Sequence, residues 1–401
     1  MIDRFKAFVD SYQKSPNYKP PLGFGIARID RGQLTGNVLC ATYPLLNWSH
    51  ENLGSYAVFM HALNPENQIS ISESECVYGI DEGFIYKALE LYTPFLNEAI
   101  QNKTNHKNIQ AVLELKKALD TGRLRDESGR FLFHFVALFK DTKCQSVETA
   151  YLKLLALSLG KAELRSLVLD GIFGLLQNVA WSGNRPYELA WLRENEIALK
   201  MQGLYPCIDF VDKFPRYLMQ VIPQYDNIRL LDTAKTRFGA YLGNGGYTQM
   251  PGASYVNFNA GALGACMNEG RISSSVIIGE GTDIGGGASI LGVLSGGNSA
   301  PISIGKNCLL GVNSSTGISL GDGCIVDGGI AVLAGTIFAI TESEAKKIAQ
   351  INTEFAIHSD GLYKGKDLSG KNGLHFRQES TSGKMIAFRS NRKIELNTAL
   401  H

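Results

Sequence analysis

Cysteine is sparse in this chain of 401 residues. The seven cysteines are Cys40, Cys76, Cys144, Cys207, Cys266, Cys308 and Cys324. They are odd in number and scattered, with no C-x-x-C, so neither a disulfide framework nor a thiolate zinc site is expected. Reduced core cysteines are the plainer reading, with Cys308 and Cys324 where small apolar residues recur. No apolar run approaches the length of a bilayer span, so no membrane is expected as partner. Charge of one sign is missing too. The net charge is +1 and the cations are spread along the chain, so nothing points to nucleic acid or an anionic surface. The opening stretch MIDRFKAFVDSYQKS lacks a basic segment followed by an apolar core, so it is not read as a signal peptide. Its Ile2, Phe5, Phe8, Val9 and Tyr12 instead share a helix face. The expectation is a cytoplasmic chain. Histidine leaves the most informative gap: none lies between residues 135 and 357.

Glycine and small aliphatics fill that gap. Twenty-four of the 43 glycines fall between Gly239 and Gly335, so the bias is regional. From Val276 an aliphatic recurs every six residues: Ile278, Ile284 and Ile290, then Ile304 and Leu310, then Leu320, Val326 and Val332. Gly279, Gly285, Gly305, Gly311 and Gly321 each follow one of them. A period of six fits neither a helix nor an alternating strand. It predicts a left-handed parallel β-helix of hexapeptides, three per coil, with each aliphatic stacked inward on its equivalent in the next coil. The adjacent glycine is read as a corner residue that avoids strain at Cβ.

The flanks divide the rest. Residues 1–225 are expected to form an N-terminal α/β, helix-rich domain, residues 226–340 the β-helix, and residues 341–401 a short C-terminal α/β extension. Within the first, residues 1–17 read as a helix and Leu22 to Leu46 as strands with turns at 30–32 and 35–36. Helical spacing returns over 81–99, 107–119 and 188–200. Residues 131–139 are ambiguous. The block 147–179 reads as two helices broken near Gly160. The stretch GFG at 23–25 lacks the third glycine of a dinucleotide fingerprint. In the extension, Thr341 is placed to cap a helix over 341–356, with two strand-like runs at 373–377 and 384–389 and a loose end. Solenoid ends need covering, which the flanking domains could supply.

Hexapeptide coils mostly belong to acyltransferases that use coenzyme A thioesters, but fold analogy alone assigns no chemistry. The histidine gap argues against a zinc anhydrase built on this coil and against a coil-borne histidine base. Any base there must be a carboxylate or come from the flanking segments. Glu280, Asp283 and Asp322 read as corner residues. Glu269 differs: it sits in NAGALGACMNEGRISSS, where the hexad register is lost. Arg271, two residues on, faces the same way if the segment is extended. Two readings stand equally: a carboxylate base beside a cation that holds a substrate carboxylate, or a surface ion pair worth little.

Three stretches carry a resemblance: YVNFNAGALGACMNEGRIS at 255–273, VIIGEGTDIGGGASILGVLSGG at 276–297 and SIGKNCLLGVNSSTGISLGDGCIVDGG at 303–329. With HFRQESTSG at 375–383, they resemble the longer-chain bacterial branch of the tetrahydrodipicolinate N-succinyltransferase family. The resemblance covers roughly the last 40% of the chain and is loose over residues 1–225, apart from PLGFGIARI and TYPLLNW.

The resemblance implies a catalytic role for Glu269 and a contact from Arg271 to succinyl-CoA or the acidic substrate. It implies acyl-CoA contacts from Gly286 and Ser289 and, further along, from Val312, Asp327, Gly328 and Gly335. Lys364 and Arg377, Gln378, Glu379 and Ser380 align with a segment lining the CoA channel. Some relatives hold magnesium on a three-fold axis, but Ala253 occupies the position of one ligand, so no metal is expected. The implied reaction moves a succinyl group from succinyl-CoA to the amine of ring-opened tetrahydrodipicolinate, in lysine and diaminopimelate biosynthesis. Succinyl-CoA is then a co-substrate, no cofactor is bound permanently, and the assembly is a homotrimer. The alternatives are a related N-acyltransferase using acetyl-CoA and a non-catalytic trimeric solenoid.

Overall fold

The structure, a computed structural model, describes residues 1–232, 235–293 and 300–396. The last residues of the motif at 276–297 and the final residues 397–401, which fall within the expected loose end, lie outside them. The chain divides into two compact units, Met1–Ala156 with Leu167–Pro215, and Leu157–Ser166 with Arg216–His401.

The first unit is built on a mixed-length antiparallel sheet. Strand β1 (Gly23–Arg31) lies between β2 (Val38–Thr42) and β6 (Phe133–Leu138), followed outward by β5 (Glu75–Gly79) and β4 (Gln68–Ile71), and β3 (Asn47–Trp48) also pairs with β1. The ambiguous stretch 131–139 is therefore a strand. Phe135, Val136, Ala137 and Leu138 are all buried, so both faces are covered and no alternation marks the period. The unit also holds helices α1 (Ile2–Gln13), α2 (Leu53–Ala62), α3 (Glu82–Tyr92), α4 (Leu96–Gln101) and α5 (Lys107–Asp120), most of α6 (Val147–Ser158), the expected helix at Leu189–Met201, and a second sheet in which Val179–Ser182 lies between Arg185–Glu188 and Phe210–Asp212. Helix α2 is apolar nearly all round and buries Tyr56, Ala57, Val58 and Phe59, so it shows no amphipathic stripe.

The second helix expected after Gly160 is absent. Beyond α6 the chain is irregular until the short helix Ile172–Leu175. Arg165 takes a positive φ of 68°, which a continuing helix forbids. Its backbone N–H donates to Asn259 Oδ1 at 2.8 Å, and its guanidinium donates to Ser275 O at 2.6 Å, to Ser303 Oγ at 3.0 Å and to Ile302 O. These bonds to the coil outweigh helical propensity.

The second unit is a parallel β-helix with three sheet faces. The first face stacks Tyr247–Gln249, Cys266–Asn268, Thr282–Ile284, Leu309–Leu310 and Ile325–Val326. The second stacks Tyr255–Val256, Arg271–Ile272, Ser289–Ile290, Ser315–Thr316 and Ala331–Val332. The third stacks Tyr241–Leu242, Gly261–Ala262, Ile277–Ile278 and Ser303–Ile304. The predicted aliphatics point inward in register: Ile278 on Ile304, Ile284 on Leu310 on Val326, and Ile290 and Val332 on either side of Thr316, a residue outside the predicted set, all essentially inaccessible. Truncating one of them to alanine would cost about 2–5 kcal/mol.

The glycines beside them act differently from the prediction. The positive φ values belong to corner positions two residues later, Gly281, Gly287, Gly323 and Gly329 with Asn307 and Asn313. Gly279 and Gly311 are required instead by close approach between coils. A Cβ on Gly279 would lie 2.5 Å from Gly305 C, and one on Gly311 would lie 2.5 Å from Gly328 N. The step between inward residues also varies. It shrinks to four between Asn268 and Ile272 and between Thr316 and Leu320, and widens to fourteen between Ile290 and Ile304.

The C-terminal residues close the far end of this coil. Leu374–Gln378 adds to the first face, with His375 opposite Ile325 and Phe376 opposite Val326. It turns back antiparallel into Met385–Arg389, and Ile337–Ala339 and Leu362–Lys364 extend the sheet. The helix Glu342–Ala349 is capped by Thr341, which accepts from Glu344 N, and buries Ala345 and Ile348. The exposed strand edge of the last coil is thus paired and covered.

Candidate active site

One edge of the coil, where the first face turns into the second, carries many of the residues singled out above. In order along it come Glu269, Gly286, Val312, Asp327 with Gly328, and Arg377. Successive strands are about 4.8 Å apart, so four steps separate Glu269 from Arg377 by roughly 19 Å.

At the upper end, Glu269 and Gly286 are neighbours. A Cβ at Gly286 would lie 3.4 Å from Glu269 Oε2, so glycine leaves that carboxylate an open flank. The backbone of Glu269 is held at both sides: its N–H donates to Ile284 O at 2.8 Å and its carbonyl accepts from Gly287 N at 3.0 Å. The side chain has no hydrogen-bonding partner among the described residues and is half-buried. Of the three amides in the glycine run, Gly285 donates to Leu310 O and Gly287 to Glu269 O. The N–H of Gly286 is left without a protein acceptor among the described residues, beside the carboxylate.

Arg271 and Ser289 face each other across consecutive coils, with Arg271 Nε donating to Ser289 Oγ at 3.0 Å. No ion pair joins Glu269 to Arg271 among the described residues, so a surface ion pair is not what this cation forms. Its terminal nitrogens stay exposed.

At the lower end, Asp327 is doubly bound. His375 Nε2 donates to Oδ1 at 2.6 Å and Arg377 Nε to Oδ2 at 2.6 Å. Burial alone would raise its pKa, but the bonds from His375 and Arg377 hold the carboxyl below the usual aspartate range. His375 is the residue that reasoning from sequence missed. The coil's own segment has no histidine, yet the returning strand lays one on its face. The signal was the alternation in HFR, which puts His375 and Arg377 on one side of buried Phe376.

The remaining candidates are spread out. Gln378, Glu379 and Ser380 enter the hairpin turn, where Gln378 Nε2 donates to Gly383 O and Ser382 donates to Glu379. Gly335 and Lys364 sit together at the base, where Gly365 N donates to Thr336 O at 2.8 Å. Both are exposed, and nothing lies within 4 Å of a Cβ on Gly335. A single chain therefore does not bring Gly335 and Lys364 to Glu269. Among the described residues no group of three or more His, Cys, Asp or Glu could hold a metal ion. A cleft of the first unit, about 840 Å³, is lined by Lys103, Lys107, Arg123 and Arg125 among others and contains none of the candidates.

A hexapeptide-repeat model of succinyltransferases matches residues 301–334. The coil, its glycine-lined edge and its open carboxylate define the class as a hexapeptide acyltransferase. The models of the N-terminal and middle regions of tetrahydrodipicolinate N-succinyltransferase match residues 3–174 and 176–216. A Helicobacter pylori protein named 2,3,4,5-tetrahydropyridine-2,6-dicarboxylate N-succinyltransferase is 67% identical over 401 residues, covering 100% of both chains. A Nitratiruptor protein of the same name is 54% identical, covering 100% of this chain and 99% of the other. A Campylobacter jejuni crystal structure described as a 2,3,4,5-tetrahydropyridine-2-carboxylate N-succinyltransferase superposes with a TM-score of 0.89 at 48% identity, covering 98% of this chain and 99% of that one. The chain belongs to the tetrahydrodipicolinate N-succinyltransferase family. The match extends over the first 216 residues, where the motifs alone gave only a loose likeness.

Proposed function

We propose that the chain transfers a succinyl group from succinyl-CoA to the amine of ring-opened tetrahydrodipicolinate, L-2-amino-6-oxopimelate. The observation that carries this reading, beside the family, is the pairing at Glu269 and Gly286 of a carboxylate and an N–H that both lack a partner among the described residues. The acceptor arrives as an ammonium and must lose a proton before its nitrogen attacks the thioester. Glu269 takes that proton. As the nitrogen adds, charge builds on the thioester oxygen, and the Gly286 N–H is placed to receive it. Collapse expels the CoA sulfur, which leaves as the thiol with the second proton given up by the added nitrogen, so the products are an amide and free CoA.

Both substrates carry carboxylates, and the free nitrogens of Arg271 suit one of them. The long edge down to Arg377 suits an extended donor lying along the coil. Gly335 and Lys364 lie away from Glu269 within one chain, which fits a homotrimer whose active sites combine residues of neighbouring coils. No helix among the described residues is long and apolar enough to cross a membrane, in keeping with work on freely dissolved metabolites in the cytoplasm. Attack of Glu269 on succinyl-CoA to form an anhydride is a second route to the same product.

The experiment is thiol release from succinyl-CoA with and without tetrahydrodipicolinate, with acetyl-CoA in parallel. Release that needs both succinyl-CoA and the acceptor supports the reading. Release with acetyl-CoA alone would replace the donor, and release with neither would favour a non-catalytic solenoid.

A further inference from the structure

Inside the coil, directly behind Glu269, the aliphatic stack is interrupted. The inward column of the first face reads Gln249, Asn268, Ile284, Leu310, Val326. Its first two members are amides, fully buried where the pattern calls for Ile, Leu or Val. Asn268 Oδ1 accepts from Gly270 N at 3.0 Å, and Asn268 Nδ2 donates to the hydroxyl of Tyr247 at 3.1 Å. That hydroxyl donates to Gln249 Oε1 at 3.0 Å, which also accepts from Thr236 Oγ1 at 2.8 Å. Tyr247 and Thr236 are inaccessible too.

Burying so many polar groups is costly unless they are bonded, and an aliphatic at 268 would continue the stack more simply. The network's output is one bond. Between Asn268 and Ile272 the step is four residues, against six where the same edge is crossed at Ile284 to Ile290, Leu310 to Thr316 and Val326 to Val332. The shortened corner consists of Glu269, Gly270 and Arg271. A side-chain oxygen accepting from the N–H two residues on is the bond that closes a tight turn around an Asn. Gly270 must also be glycine there, since a Cβ would lie 2.3 Å from Ala288 O.

We infer that Asn268 is a positioning residue. Its amide, oriented by Tyr247, sets the tight corner that projects Glu269 over Gly286 and Arg271 over Ser289. This rests on the reading of Glu269 as the base.

The test compares Asn268→Leu, Asn268→Asp and Glu269→Gln in the full chain. Asn268→Leu completes the aliphatic stack but leaves the buried Gly270 N–H without its acceptor, so the protein should stay folded with a melting temperature lowered by a few degrees at most. Its kcat should fall roughly 100-fold, because misplacing a catalytic group by about 1 Å costs that much, while KM for succinyl-CoA moves little. Hydrogen exchange across 266–272 should show the Gly270 amide losing protection. Asn268→Asp keeps the acceptor oxygen and should recover much of the lost kcat. Full turnover in Asn268→Leu with Glu269→Gln inactive would overturn the inference and leave the reading of Glu269 intact. Full turnover in both would overturn the two together.

Discussion

Arg271 donates from Nε to the hydroxyl of Ser289 one coil on, 3.0 Å away, and not to Glu269 two residues before it. The bond fixes the guanidinium while leaving its outer nitrogens free, the geometry expected of a group waiting for a carboxylate. A charge-assisted hydrogen bond contributes about 1.5–3 kcal/mol, so Arg271→Ala should raise KM for one substrate roughly 10–100-fold. Its exposed position predicts little change in melting temperature. Unchanged KM for both donor and acceptor would remove it from substrate binding.

Asp327 links stability to pH. Its folded pKa lies below the ordinary value because His375 and Arg377 favour the carboxylate despite burial. A depressed folded pKa stabilises the fold above the ordinary aspartate pKa, and that contribution is lost as pH falls through the folded value. Acid unfolding of the wild type should therefore steepen below about pH 4, and Asp327→Asn should flatten that limb. Calorimetry from pH 3 to 7 checks it, and parallel curves for the two proteins would contradict it.

The glycines offer a direct test of why they are there. Gly279→Ala forces a Cβ to within 2.5 Å of Gly305 C in the next coil. Backbone cannot swing aside, so a loss of about 1–3 kcal/mol or more is expected. Gly174→Ala has open space and an ordinary φ, so it should be neutral or stabilising by about 0.5 kcal/mol. Denaturant titration of the two variants separates close approach from a general cost of replacing glycine.

Much of the coil was legible because its physics is periodic. An inward slot every six residues admits little but Ile, Leu or Val, and that pattern survives in one sequence. What broke the period was hidden. The four-residue corner after Asn268 appeared only as lost register, and no local pattern says that Asn268 points inward. The strand carrying His375 joins the coil beside Val326, 50 residues earlier, so its place depends on a long-range pairing. The helix expected after Gly160 yielded to Arg165, whose partners lie about 100 residues away. Glu269 stood out because it interrupted a regular pattern, while the free N–H of Gly286 emerged only once its two neighbours' bonds were known.

The cysteines give a chemical check on burial. Six of the seven are buried and none is paired in a disulfide, with Cys207 exposed. Burial pushes the Cys76 thiol up to about 12, and raises Cys266 further still. A thiol reagent at neutral pH should label Cys207 rapidly in the native protein and all seven only after denaturation. Fast labelling of several native thiols would contradict this packing.

The most direct measurement is kcat for Glu269→Gln with succinyl-CoA and tetrahydrodipicolinate both saturating. The side chain has no hydrogen-bonding partner among the described residues to lose, so the melting temperature should stay where it is. General-base catalysis contributes about 100- to 10,000-fold, and kcat should fall by that factor. A folded Glu269→Gln protein turning over at the wild-type rate would contradict the account, because no proton acceptor would then be needed at the carboxylate around which the edge is built.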